Sequence, residues 1–441
     1  MKGIHQQSDR RAFVKLAGGT AAFALFSPVS PLLAQAPPAG PHLSAAEAGA
    51  VGDGRTLNTD KLQAAIDRLA SHHGGILIIP AGTFLTGALF LKPGVHLYLE
   101  KNAVLKGSTD VNDYPKRRTR VEGHFQVWLP ALINADGCDH LRITGEGTLD
   151  GSGAPFWQAF WSRIRADRHT TNLDVPRPRL ALIENSRNVQ ISGITFKDSG
   201  FWNLHLYRCR QVLVENVRFE VPDGVRCPST DGTDIDSCQH VTIRGCTYRV
   251  DDDCVCLKGS KGPFAMNDRE SPAVEHIRVE NCAFERGGGI ATLGSEATVV
   301  RDLVVEKCTV HGTVPVVRLK LRPDTPQLYE DLHYRDITLA GGQNGPRGPL
   351  FEIRPWKQYF DLQGQAPPKS TVRNVTVNGV QGHFGSFGEI QGNPGQTTLS
   401  GFRLQNIDVQ LNNPQLTVDH GVDVRLKNVS VNSKPFVLNQ A

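Results

Sequence analysis

Two acidic clusters fall within residues 229–260. The first reads Ser229-Thr230-Asp231-Gly232-Thr233-Asp234-Ile235-Asp236 and the second Asp251-Asp252-Asp253-Cys254-Val255-Cys256-Leu257-Lys258. Each abuts a short apolar run, so the carboxylates cannot all spread into solvent. Crowded carboxylates repel one another, and a site built from them binds a metal, shares protons or meets a cationic transition state. Any one Asp in such a stretch is more often a turn residue. Two clusters on neighbouring turns of a repeat favour a site.

Cations follow downstream. In Arg318-Leu319-Lys320 the period of two puts both charges on one side of a strand. Alone, the pair reads equally well as a solvated face; beside an acidic site it reads as a clamp for a substrate carboxylate. Lys258 and Ser229, inside the acidic stretches, are further candidate substrate contacts. Arg354 and Trp356 could add charge and sugar stacking, although an aromatic residue there is a core residue about as often.

What must position these groups is a repeat. Asn58-Thr59-Asp60 can cap a helix over 61–70, with Leu62, Ile66 and Leu69 as its apolar face. From Ile76 the pattern changes to a period of two. His140-Leu141-Arg142-Ile143 is then echoed by Asn188-Val189-Gln190-Ile191, Gln211-Val212-Leu213-Val214, His240-Val241-Thr242-Ile243 and His276-Ile277-Arg278-Val279, and again from Asp302, Asp331 and Asn374. The starts Val189, Val212, Val241, Ile277, Leu303 and Leu332 are 23, 29, 36, 26 and 29 residues apart. Irregular spacing with a constant corner pattern predicts a solenoid whose loops vary while its strands stay in register. A β-sandwich would also give short strands, but not the same corner repeatedly. The expected fold is all-β: a single-stranded parallel β-helix over residues 37–441, with the first helix as an N-terminal cap. The rungs at 402–409 and 422–431 are more polar, as the end of a stack would be. Asp231 and Asp252 are 21 residues apart, about one coil, which would put them on adjacent rungs about 4.8 Å apart.

Residues 1–36 read as a leader and not as part of the fold. Arg10-Arg11-Ala12-Phe13-Val14-Lys15 is a twin-arginine pattern, followed by an apolar run and the small-residue site Ala34-Gln35-Ala36. Export to the periplasm or beyond is expected. The leader holds four basic residues and one acidic, so the formal +4 of the 441-residue chain falls to about +1 without it. That balance argues against general nucleic-acid or polybasic membrane binding. Nine cysteines permit disulfides in an exported protein, but the number is odd. Cys246, Cys282 and Cys308 recur at one repeat position, which favours small core residues. No metal or other cofactor is expected, and a monomer is.

With these residues in place the chain resembles glycoside hydrolase family 28, the polygalacturonases and related pectin hydrolases, over nearly all of residues 37–441. The resemblance rests on Gly52-Asp53-Gly54, Pro80-Ala81-Gly82-Thr83-Phe84-Leu85-Thr86-Gly87 and Gly147-Thr148-Leu149-Asp150-Gly151. It rests also on Ser229-Thr230-Asp231 for the family's Asn-Thr-Asp, Asp252-Asp253-Cys254, and Arg318-Leu319-Lys320 for Arg-x-Lys. It implies a right-handed parallel β-helix and inverting hydrolysis of an α-galacturonosyl bond in a pectic poly- or oligosaccharide. Asp252 would be the general acid, Asp231 and Asp253 would hold and deprotonate water, and Arg318 and Lys320 would bind the galacturonate carboxylate. An inverting pair stands roughly 6.5–9.5 Å apart to admit that water.

The chain departs from the family twice. Gly288, in Gly287-Gly288-Gly289, stands where the family has a histidine that supports the carboxylates; rhamnogalacturonan-acting relatives also lack it, so the resemblance leaves a rhamnogalacturonan-specific hydrolase of the same family as an alternative. Ser229 stands for an Asn. The insert 262–272 and the segment 363–369 could wall one end of a groove and favour removal of terminal residues. Two other classes remain open: a polysaccharide lyase with Ca²⁺ and an Arg or Lys base, which a cation requirement would reveal, and a non-catalytic carbohydrate-binding β-helix.

Overall fold

The computed structural model describes residues 40–341 and 348–438; the leader reading lies outside them. The repeat resolves into coils of three short strands. One ladder runs through Leu204–Tyr207, Thr233–Asp236, Val255–Lys258, Thr292–Leu293, Val317–Leu321 and Pro349–Pro355, each paired in parallel with the next. A second ladder stacks the repeated motif itself. Val189, Val212, Val241, Ile277, Leu303, Leu332 and Val375 are successive register partners. A third stacks Thr195–Lys197, Arg218–Glu220, Thr247–Arg249 and Ala283–Arg286. The result is a right-handed parallel β-helix. The polar rungs near the C-terminus belong to it: Phe402 pairs with Val424 and Ile407 with Val429.

The recurring corner has a backbone cause. Asn188, Gln211, His240, His276, Asp302, Asp331 and Asn374 all lie in the left-handed region, with φ between 54° and 59°. Asn, Asp and His tolerate that conformation better than most residues. Each corner turns the chain by about the same angle, so the strand that follows returns to register whatever the preceding loop's length.

Alternate residues point into the coil and form one long apolar core. Phe196, Phe219, Tyr248 and Phe284 stack on successive rungs, with centroids 5.1, 4.8 and 5.2 Å apart. All nine cysteines are free and buried, and Cys246, Cys282 and Cys308 sit at the expected repeat position. Helix α1, Thr59–Ser71, buries Leu62, Ala65, Ile66 and Leu69 against the first coils. Asn58 occupies its N-cap position without a side-chain capping bond. Its carboxamide instead accepts from Val51 N at 2.7 Å and donates to Thr56 O at 2.7 Å, tying down the glycine-rich turn before the helix. Among the described residues no helix is long and apolar enough to cross a membrane.

Two elements were not foreseen: helix α2 at Ala154–Ala166 and an antiparallel hairpin pairing Arg117–Val121 with His124–Trp128. Both matter for the site. Phe219→Ala should remove the middle of the aromatic stack and cost about 3–5 kcal/mol, as large-to-small core changes do. Chemical denaturation would show this as a fall in midpoint. A loss below about 1 kcal/mol would mean that the core relaxes around the gap.

Candidate active site

The acidic clusters open onto a cleft of about 370 Å³, lined by Ser229, Asp231, Asp251, Asp252, Asp253 and Lys258 together with Arg318, Lys320 and Trp356 from later rungs. Their alignment follows from strand register. Asp234 pairs with Cys256 and Asp236 with Lys258, so the coil here is 22 residues long. The rung partner of Asp231 is therefore Asp253, one residue beyond the expected Asp252. Gly232 N donates to Asp253 O at 2.9 Å, in agreement.

Asp253 is the most tightly held group. It is 1% exposed, accepts from Lys320 Nζ at 2.6 Å and Arg318 Nη1 at 2.9 Å on separate oxygens, and takes a third bond from Thr292 Oγ1 at 2.9 Å. Burial alone would raise its pKa, but Lys320 and Arg318 outweigh burial and hold it well below the usual carboxylate range. The two cations expected to clamp substrate thus first secure a carboxylate of the protein. Arg318 Nε also meets Glu352 at 3.0 Å, and Trp356 lies over the pair, 4.9 Å from Lys320 Nζ.

Gly288 fits this arrangement. A Cβ there would lie 2.5 Å from Arg318 Nη1 and 2.7 Å from Asp253 Oδ1. The Arg318 guanidinium also donates to Gly288 O. The space that a side chain at position 288 would need is filled by the Arg318–Asp253 pair, so the missing histidine leaves no gap.

The other carboxylates shift the opposite way. Asp231 is raised well above its ordinary value by burial and then by repulsion from Asp252 and Asp234. Asp252 is raised by burial and by Asp253. Asp234, fully buried beneath them, is pushed up to about 7 by burial. Lys258 Nζ lies between them, 3.4 Å from Asp231, 3.4 Å from Asp234 and 3.6 Å from Glu296. It is buried under the Trp202 ring at 4.5 Å, so its role here is to bind the site's own anions. The cleft therefore sets Asp253, held toward the anion, beside Asp231 and Asp252, whose pKa values are raised. Oxygens of Asp231 and Asp253 and the Cys256 sulfur lie within 4.8 Å of one another. Ammonium groups of Lys320 and Lys258 already balance those carboxylates, so the donor set suits lysines better than an added dication.

The remaining acidic residues divide by task. Asp236 accepts from buried Arg120 at 2.8 Å, fixing the hairpin to the site's floor. Asp251 accepts from Cys227 N at 2.8 Å and pairs with Arg286 at 3.0 Å. Ser229 Oγ accepts from Arg177 at 3.2 Å and donates to Asn172 at 3.2 Å. Arg354 is half-exposed on the next rung and pairs with Glu352 at 2.5 Å. It lines an adjoining, more open pocket of about 440 Å³ that shares Arg318 with the cleft.

Several lining residues escaped the sequence reading: Glu122, Phe160, Trp161, Lys261 and Glu296. For α2 the signal was present in Phe156, Trp157 and Phe160 with Pro155 at the start. Glu122 and Glu296 had none, because each reaches the cleft from a loop far from the acidic clusters in sequence, whereas Lys261 lies only three residues beyond Lys258.

A parallel β-helix with clustered carboxylates and a cationic pair on one face defines a class of saccharide-cleaving proteins, and comparison with known proteins makes the family specific. The model for glycosyl hydrolases family 28 matches residues 76–429. The chain belongs to this family and is a glycosidase by that membership. It is 31% identical over 305 residues to a protein of Vitis vinifera named "Probable polygalacturonase", a match covering 66% of this chain and 59% of that one. It is 27% identical over 346 residues to an exopolygalacturonase of Zea mays, covering 76% and 75%. The hyperthermoactive exopolygalacturonase of Thermotoga maritima shares the fold, with a TM-score of 0.76, 24% identity and coverage of 91% and 94%.

Gly288→Ala should push Arg318 away from Asp253 and lower kcat by at least about 10²-fold, the scale of one lost electrostatic contact in a site. A wild-type kcat in this variant would show that the Arg318–Asp253 contact is dispensable.

Proposed function

We propose that the protein is an inverting glycosidase that cleaves α-galacturonosyl linkages in pectic saccharides, acting from a chain end. The observation that carries the reading is the split among three carboxylates in one cleft. Asp253 is held as the anion by two cations, while burial and mutual repulsion raise the pKa values of Asp231 and Asp252 and favour a proton on that pair.

In this mechanism Asp252, the least buried of the three, protonates the leaving oxygen as general acid. Asp253 and Asp231, close enough to share one water, hold it against the anomeric carbon and take its proton. Asp231 can serve as acceptor because its pKa is tied to that of Asp252: with Asp252 protonated, that repulsion is gone and the Lys258 ammonium favours the anion. Arg318 and Lys320 face the cleft beside Asp253 and attract the substrate's uronate carboxylate. Trp356 covers both and offers a flat face to a sugar ring. Ser229 lines the cleft and Arg354 the adjoining pocket.

Action at a chain end is supported by the closure of the cleft. Tyr359 hydroxyl donates to Thr170 O at 3.1 Å, joining the segment after Trp356 to the loop after α2. Arg322, paired with Asp324 at 2.7 Å, holds the carbonyls of Gln358 and Tyr359 at 3.1 and 3.2 Å. Residues of the insert 262–272 line a separate depression. For residues 1–36 we retain export by the twin-arginine route, on the sequence pattern alone.

The test is a product profile of the purified protein on polygalacturonan and rhamnogalacturonan oligosaccharides, with and without chelator, with NMR of the first-formed anomer. Saturated galacturonate with inverted configuration, indifferent to chelator, is expected. Unsaturated products would make the protein a lyase, and no product from any substrate would favour a binding protein. Asp252→Asn should lower kcat by about 10²–10⁴-fold, as loss of a general acid does.

The pH dependence has a definite sign. Asp252 has a raised pKa, so the acid form persists above the usual carboxylate range and activity falls as pH rises through its folded value. The same shift costs stability once Asp252 ionises, so Asp252→Asn should be no less stable than wild type at neutral pH. Asp253, with a lowered pKa, stabilises the fold above the ordinary Asp value of about 3.9 and loses that contribution only in stronger acid.

A further inference from the structure

An ion pair between Glu122 and Lys261 stands on the wall of the cleft. The hairpin turns through Glu122 and Gly123, both with positive φ (46° and 79°), the two-residue turn that matches the twist of its strands. Asn, Asp and Gly are the usual residues there; Glu in the left-handed region is unfavourable and is held by what surrounds it. Its carboxylate is buried and meets Lys261 Nζ at 3.4 Å. The neighbouring Gly123 packs flat on the floor: a Cβ there would stand 3.1 Å from Gly259 O and 3.3 Å from Glu296 Cβ. Arg120, bound to Asp236 at 2.8 Å, keeps the hairpin from shifting.

The two sides of this pair differ. Inside, Glu122 and Lys261 line the catalytic cleft with Asn172, Asp231 and Glu296. Outside, Gly123 and Lys261 border a second depression of about 650 Å³, walled by Arg118, Phe125, Phe264 and Gln363. Phe264 is 53% exposed, an aromatic face of the kind sugars stack on, and Arg118 lies over Phe125 at 4.0 Å. The outer depression thus has the character of a sugar site, and Lys261 lines both it and the cleft.

We propose that the Glu122–Lys261 pair is the end wall of the cleft. It fixes the length of saccharide held on the closed side of the scissile bond, and the depression behind it accepts a further sugar residue once the pair is removed. Carboxylate and ammonium also meet the hydroxyls of the terminal sugar, so the wall recognises an end as well as blocking passage. This inference rests on the chain-end hydrolase reading.

The test uses Glu122→Gly, which suits the backbone conformation at 122 and removes the carboxylate, and Lys261→Met as an independent variant. Thermal melting confirms that both fold. Products released from pectic oligosaccharides are sized by chromatography and mass spectrometry. Wild type should release one product length; both variants should add a product at least one residue longer and show a raised KM on the shortest substrate. An unchanged single product length in both variants overturns the wall while leaving the hydrolase reading intact. A lack of product from wild type overturns the hydrolase reading, and the wall with it.

Discussion

The site depends on the grip of Lys320 and Arg318 on Asp253. An isolated carboxylate at that depth would cost several kcal/mol to ionise, and in practice it would take up a proton instead. Two cations on two oxygens reverse the outcome, and everything nearby responds. With Asp253 fixed as an anion, Asp252 beside it is pressed to keep its proton. The proton distribution that the proposed mechanism needs therefore follows from which carboxylate the cations reach. Breaking such a pair by removing one partner typically costs about 3–5 kcal/mol, because the other charge stays buried.

The β-helix makes this possible by stacking rungs at strand spacing. Asp231, Asp253 and the Arg318–Lys320 pair come from coils distant in sequence, yet they line one ladder because every coil re-enters register at a left-handed corner. Loops between strands are then free to vary, and this chain uses them to shape the cleft. Helix α2 and the segment after Trp356 close over it, and the hairpin reaches in from the side. On the proposed mechanism, specificity is carried by loops and the chemistry by rungs.

Much of this was legible in the sequence. The corner residues and the apolar alternation revealed the coils, since His240-Val241, His276-Ile277 and their relatives each state a turn and a strand together. The acidic clusters and Arg318-Leu319-Lys320 revealed the face. The count of 21 residues between Asp231 and Asp252 missed the true partner by one, because a coil's length is set by hydrogen bonding along the strand and not by the spacing of like residues. Glu122 and Glu296 were hidden for a different reason: each is a lone acid in a loop, and only tertiary packing brings it to the cleft. The direction of Arg318 and Lys320 was also out of reach, since a cation beside an acidic site can face the protein's carboxylate, the substrate's, or both in turn.

The account is tested most directly by locating the carboxyl protons. Neutron diffraction from deuterated crystals near pH 4, about the ordinary Asp value, would do so without a substitution. The prediction is deuterium on Asp252 and none on Asp253, with three full deuterons on Lys320 Nζ. A bare Asp252, or a deuteron on Asp253, would contradict the assignment of acid and anion on which the mechanism stands.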